Sequence, residues 1–231
     1  MFESKAGVLF IGGIGFFVLA FLANAAVPML MYRDMPEQTA LETVNANAVY
    51  QFEDLQRRFP ESFKKHVGDA AGEKWNDAKQ REKCAELLKE GRDIYVGEGC
   101  WHCHSQFVRP VSNESLRYGP VAKTEEYQNE LQRPVMFGTR RVGPDLSREG
   151  GRRSSDWHAV HFHNPPLLSP HSPMPRYTWF FDDDDPAKPN RRGLAILTYV
   201  QWLGSWLESY PYYEDYRPVD ELPPRPVSPG P

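Results

Sequence analysis

The sequence predicts a mainly α-helical protein, with one membrane-spanning helix at the N-terminus followed by a small helical domain with long loops. Three observations lead there. Residues Ala6 to Met31 hold no charged side chain. Three later stretches repeat apolar residues every three or four positions, the pattern of helices that bury one stripe. The pentapeptide Cys100-Trp101-His102-Cys103-His104 then opens a region punctuated by Pro and Gly, where loops separate short elements.

Composition narrows the functional classes. A length of 231 residues allows one domain of ordinary size plus extras, or two small domains, and 40% apolar residues suffices for one core. With 27 basic against 31 acidic residues the formal charge is -4, which gives no electrostatic case for nucleic acid. Three cysteines are an odd count. If Cys100 and Cys103 act together, Cys84 is expected as a free buried thiol rather than in an intermolecular disulfide. Seven of the 21 prolines fall between Pro211 and Pro231, the mark of an irregular tail.

Taken in order, the apolar run comes first. At about 1.5 Å per residue it covers a hydrocarbon layer of ~30 Å with some tilt. Asn24 is its one strongly polar side chain and lies near the far end. Ala23-Asn24-Ala25 fits a signal-peptidase pattern, but the run continues to Met31, longer than a signal core, so a retained anchor is expected. Gly12, Gly13, Gly15 and Ala20 would admit a neighbouring helix closely. Lys5 before the span and Arg33 after it leave orientation open by charge.

Leu41, Val44, Ala48, Phe52, Leu55 and Phe59 then predict an amphipathic helix from Glu37 that stops before Pro60. Its stripe should pack on the following domain or on a partner subunit. Glu61 to Lys83 is dense in charge and reads as a hinge and helical entry. Glu82 to Val96 predicts a helix grouping Leu87, Leu88, Gly91, Ile94 and Tyr95, broken by Gly97 and Gly99. Leu194, Leu197, Val200, Leu203 and Leu207, with Trp202 and Trp206, predict an amphipathic closing helix. The two should cross, with Gly91 permitting close approach and Tyr95 packed beside it.

The pentapeptide reads Cys-x-x-Cys-His, the attachment signature of a c-type haem. On a helix its ligating residues sit at i, i+3 and i+4, so two thiols and an imidazole meet one flat macrocycle. A thioredoxin-like redox pair or half a zinc site also begins from Cys-x-x-Cys. Zinc would want a second ligand pair at similar spacing, and a redox pair has no use for the following His. Because c-type haem is attached on the outer side of the bacterial membrane, residues after Tyr32 are expected there.

His104 would fill one axial position. For the other the candidates are Met136, His158, His161, His163, His171 and Met174. Met174 is preferred, because Pro173 and Pro175 stiffen its strand and it lies shortly before the closing helix. Met136 reads as core. His158, His161 and His163 imitate a metal site but fit a short helix packed on the domain. Arg140, Arg141, Arg152 and Arg153 are candidates for the haem propionates. Asp182 to Asp185 read as a solvated loop.

Gly91-Arg92-Asp93-Ile94-Tyr95, Glu98-Gly99-Cys100, Cys103-His104-Ser105-Gln106, Arg109-Pro110, Arg117-Tyr118-Gly119, Gly143-Pro144-Asp145-Leu146, Gly150-Gly151-Arg152, Asp156-Trp157-His158, His161, Asn164-Pro165 and Met174-Pro175 follow one another in a specific order. That order resembles the membrane-anchored mono-haem subunit (FixO-like) of the cbb3-type cytochrome c oxidases. The resemblance implies an extracytoplasmic, class I-like cytochrome c domain with one covalently bound haem c. Cys100 and Cys103 would hold the haem, with His104 and Met174 as iron ligands. It also implies a non-catalytic electron-transfer subunit in the bacterial inner membrane, its haem domain on the periplasmic side. A di-haem cytochrome c subunit or soluble cytochrome c would donate electrons, and the haem b of the catalytic haem–copper subunit would receive them. Phe107 and Thr178 depart from the family's usual residues, and neither removes an iron ligand. The cytochrome c subunit of a nitric oxide reductase and a haem-based sensor or structural subunit are the alternatives. The expected organisation is an anchor (1–33), a helical connector (34–82), the haem domain (83–209) and a proline-rich tail (210–231). The apolar surface of anchor, connector and the tail tyrosines Tyr210, Tyr212, Tyr213 and Tyr216 calls for membrane lipid and a complex.

Overall fold

The structure, a computed structural model, describes residues 2–138 and 140–207. The proline-rich tail and its four tyrosines lie outside the described residues. The chain divides after Glu37 into two compact units.

The first unit is a helix that changes pitch. Helix α1 (Phe2–Phe21) passes through one π-turn (Leu22–Ala26) into α2 (Val27–Tyr32). Pro28 explains the turn, because its ring cannot donate to, and would collide with, the carbonyl four residues back, so the ladder widens there. The Asn24 amide hydrogen-bonds the Ala20 carbonyl at 2.8 Å and so is satisfied inside the helix. The stretch Lys5–Tyr32 is long and apolar enough to cross a membrane as one single-pass anchor, and none of its most apolar window is buried by the chain's own residues.

The second unit is helical, and its described residues include no strand, only isolated bridges at Gln38–Asn129 and Phe181–Pro189. The helix expected from Glu37 to Phe59 is in fact two, α3 (Ala40–Thr43) and α4 (Ala46–Arg58). Thr39 and Glu42 form a capping box that starts the first, and the Asn45 side chain accepts from the Ala48 N–H to start the second. Leu41 consequently leaves the stripe and is 48% exposed, while Val44, Ala48, Phe52, Leu55 and Phe59 are buried. Pro60 is less a stop than a start. It occupies the first turn of α5 (Pro60–His66), where a missing N–H costs nothing. Residues 38–82 thus contribute to the same core as the pentapeptide region, and Phe63 sets its ring edge-on to Phe52 at 5.3 Å.

Helix α6 (Asp77–Gly97) begins five residues before the apolar pattern does, because Asn76 caps it through the Lys79 N–H. It crosses α10 (Arg191–Trp202), and this crossing centres the fold. Gly91 makes it possible: a Cβ there would collide with the Ala195 carbonyl and come within 2.6 Å of the Tyr199 Cβ. Tyr95 packs on Tyr199 with ring centroids 5.5 Å apart. Arg191 fastens the start of α10 to Glu86 and Glu90 of α6 and to the His66 carbonyl.

The closing helix is not amphipathic. Residues 193–202 are buried on every side, so its polar groups must all be paired internally. Thr198 donates to the Leu194 carbonyl, the Tyr199 hydroxyl donates to Gln106 Oε1 at 3.0 Å, and Gln201 both donates to the Arg153 carbonyl and accepts from the Gly151 N–H. The helix ends at Trp202, with Leu203 buried beyond it in non-helical geometry. Asp182 to Asp185 is more than a solvated loop, since Asp182 pairs with Lys65 and His66, and Asp184 pairs with His163.

Candidate functional site

Gly99 reverses the chain after α6 with a left-handed φ of 69°, and the pentapeptide then forms one helical turn, α7 (Cys100–Cys103). His104 is its C-cap, donating its backbone N–H to the Cys100 carbonyl at 2.9 Å. The Tyr95 hydroxyl donates to the His104 carbonyl at 2.5 Å, fixing the turn to α6. Two thiols and the imidazole are therefore presented from one short turn anchored in the core.

The loop 142–147 decides the histidine's chemistry. His104 Nδ1 lies 2.9 Å from the Pro144 carbonyl, which can only accept, so Nδ1 carries the proton and Nε2 keeps its lone pair free for a ligand. Burial holds the His104 pKa below its ordinary value, in keeping with a neutral ring. Gly143 presses against that ring so closely that any Cβ would overlap it.

Asp145 holds the loop in place. Its buried carboxylate accepts from the Ser105 hydroxyl (2.6 Å), the Phe107 N–H (3.0 Å), the Ser147 N–H (2.8 Å) and the Ser147 hydroxyl, and pairs with Arg141. Arg141 in turn pairs with Glu114 and bonds Ser105 and the Phe107 carbonyl. Arg141, one of the four propionate candidates, is thus committed to a buried structural network.

These elements bound a cavity of about 570 Å³, within the range of sites that hold a cofactor. Cys100, Cys103 and His104 line it, as does Met174 on the segment Ser169–Pro175. Met174 is partly buried and braced by its N–H on the Ser172 hydroxyl at 3.3 Å. Met136 is core, and His163 turns away to Asp184. The helix expected around Trp157 exists as α9 (Ser155–His163), and α8 (Glu114–Tyr118) supplies the Glu114 that pairs with Arg141. Two of the three α9 histidines, His158 and His161, face the same cavity, as does His171. Of the four candidate arginines only Arg153 lines it, its guanidinium 4.3 Å from the Trp157 ring.

Burial pushes the Cys100 thiol up to about 12, and the Tyr177 hydroxyl contacts it. A thiol held in its neutral form is a poor redox nucleophile. Cys84 is the free buried thiol expected, 1% exposed with its pKa also pushed up to about 12.

Residues 70–205, more than half of the chain, match the family described as cytochrome c oxidase, mono-heme subunit/FixO. The chain belongs to that family. It is therefore a mono-haem subunit of a cytochrome c oxidase, and membership implies one haem and a complex with the catalytic oxidase subunit. No curated protein sequence matches it significantly. The cavity of this FixO-family chain suits the prosthetic group on its own terms. It is largely apolar, has a neutral imidazole with a free lone pair on its wall, and carries three buried polar atoms without hydrogen-bond partners, on Glu149, His158 and His161.

Sequence reasoning missed Asp145 as an anchor, although an Asp in a Gly-Pro-Asp loop is a ready Asx-turn former, here accepting from the Ser147 N–H. It also missed Glu149. That residue stands in the charged run Arg148-Glu149-Gly150-Gly151-Arg152-Arg153, yet it is 2% exposed.

Proposed function

We propose that this FixO-family chain is the electron-transfer subunit of a cbb3-type oxidase, carrying one haem c bound through thioethers from Cys100 and Cys103. His104 Nε2 and the Met174 sulfur would hold its iron. The observation that carries this reading is the single cavity that brings the Cys-x-x-Cys-His turn, with Nδ1 locked on the Pro144 carbonyl, together with the Met174 segment. When bound, the haem supplies a one-electron iron couple. The chain's residues do the rest. Pro144 and Gly143 orient the imidazole, Asp145 and Arg141 hold that loop rigid, Pro173 and Pro175 stiffen the thioether's approach, and Phe162, Tyr177 and Val200 exclude water. Closed coordination with little rearrangement suits electron transfer rather than ligand sensing.

In this reading α1 and α2 anchor the chain in the bacterial inner membrane and residues after Tyr32 are periplasmic. Electrons pass from a di-haem cytochrome c subunit or soluble cytochrome c to the haem b of the catalytic subunit. The test is at Met174. Met174→Ala should abolish the ferric methionine-to-iron charge-transfer band, admit carbon monoxide and lower turnover while covalent haem is retained. Met174→His should stay low-spin with a lower potential. Persistence of the band in Met174→Ala, with its loss on changing Met136 or His171, would disprove the ligand assignment.

A further inference from the structure

The carboxylate of Glu149 is the unexplained group in the cavity wall. Oε1 pairs with Arg153 at 2.7 Å, and Oε2 lies 3.8 Å from Arg152 without accepting a hydrogen bond. His158 Nε2 from α9 approaches Oε1 to 3.8 Å, beyond hydrogen-bond range, and is itself buried without a partner. His161 lines the same wall, stacked 4.7 Å from Trp157. Neighbouring Arg148 is turned away to Glu126. From α10 the facing polar side chain is the neutral Gln201, bonded to Gly151 and Arg153.

An acid that only needed to neutralise an arginine would sit at the surface. This one is buried against a cofactor cavity with one oxygen unsatisfied, a costly arrangement when ionised. Burial outweighs both guanidinium groups and holds its pKa above the ordinary glutamate value. A positive ferric centre in the cavity favours the carboxylate, and the loss of that charge on reduction favours the acid.

Resting on the haem reading above, we propose that Glu149 takes up a proton when the haem is reduced and releases it on oxidation. Oε2 would gain one proton from solvent for each electron that a one-electron donor delivers to the bound haem, so the net charge of the pocket is unchanged. Oxidation returns both. The exposed parts of Arg152 and Arg153 mark the route to water.

The test is an equilibrium redox titration of the full chain in detergent against mediators, read from the haem spectrum. At fixed applied potential, the ratio of oxidised to reduced haem should rise with pH by up to tenfold per unit within a window lying above the ordinary glutamate range. Glu149→Gln should flatten that dependence, and His158→Asn should leave it. A pH-independent ratio in the wild type, or a slope that survives Glu149→Gln or follows His158, overturns the proposal. If Glu149→Gln fails to retain haem, redox-difference infrared spectra of wild-type chain labelled with 13C-carboxyl glutamate decide. A label-sensitive protonated-carboxyl band must appear on reduction, and its absence overturns the proposal. A chain without covalent haem would sink the functional reading as well, whereas a normal low-spin spectrum with no pH dependence sinks this inference alone.

Discussion

Two glycines of one helix offer a sharp test of how the fold is held. Alanine at a helical glycine ordinarily stabilises by up to about 1 kcal/mol through backbone entropy. At Gly97 a Cβ meets nothing within 4 Å, so Gly97→Ala should be neutral or slightly stabilising. At Gly91 the same methyl would meet the Ala195 carbonyl and the Tyr199 Cβ, both fixed in the buried face of α10. Relief requires α6 and α10 to separate, and overpacking of this kind costs about 1–3 kcal/mol. Separation would also widen the cavity, because Tyr95 of α6 and Val200 of α10 line it. For a domain of this size each 1 kcal/mol shifts the melting temperature by roughly 2–4 °C. Thermal melts of the full chain in detergent should therefore show Gly91→Ala melting several degrees below wild type and Gly97→Ala at or above it. Equal melting temperatures for the two variants would refute the idea that the crossing is limited by backbone contact at Gly91.

Asp145→Ala should destabilise by about 1–3 kcal/mol, since it leaves the Phe107 and Ser147 N–H groups without their acceptor while Arg141 keeps Glu114, and chemical denaturation should report it; a loss under 1 kcal/mol would mean the loop is not anchored there. The Cys84 thiol should resist alkylation in the native protein and react only on global opening, so rapid native labelling would contradict its burial. His158 is buried and its pKa is lowered to about 3 by burial. The unfolded chain binds its proton below about pH 6.5 while the folded chain does not. The stability this group contributes is thus intact above pH 6.5 and is lost as pH falls toward 3, amounting to ~2 kcal/mol at pH 5. His158→Asn should show a shallower acid slope in denaturation midpoints, and identical slopes would exclude this origin.

What the sequence by itself determined was local. Apolar period and length mark the anchor and the helices around Leu87 and Leu197, and the spacing Cys100-x-x-Cys103-His104 marks a candidate haem-attachment turn, because both depend only on residues a few positions apart. Gly91 was legible as a crossing point because absence of a side chain is itself a signal. Tertiary structure decided the remainder. Whether α10 has a polar face depends on what surrounds it, and Tyr199 and Gln201 look solvent-facing until Gln106, Gly151 and Arg153 arrive from distant loops to pair with them. The split between α3 and α4 was set by Asn45, whose cap competes locally with a continuous apolar stripe. Arg141 and Arg153 are indistinguishable as sequence, yet one is consumed by Asp145 and Glu114 while the other faces the cavity. Ion pairing is chosen by three-dimensional neighbours and desolvation, which no spacing encodes. Glu149 is the extreme case, an acidic residue in a charged run whose burial follows only from the way the Gly150 N–H is drawn onto the Leu203 carbonyl at the end of α10.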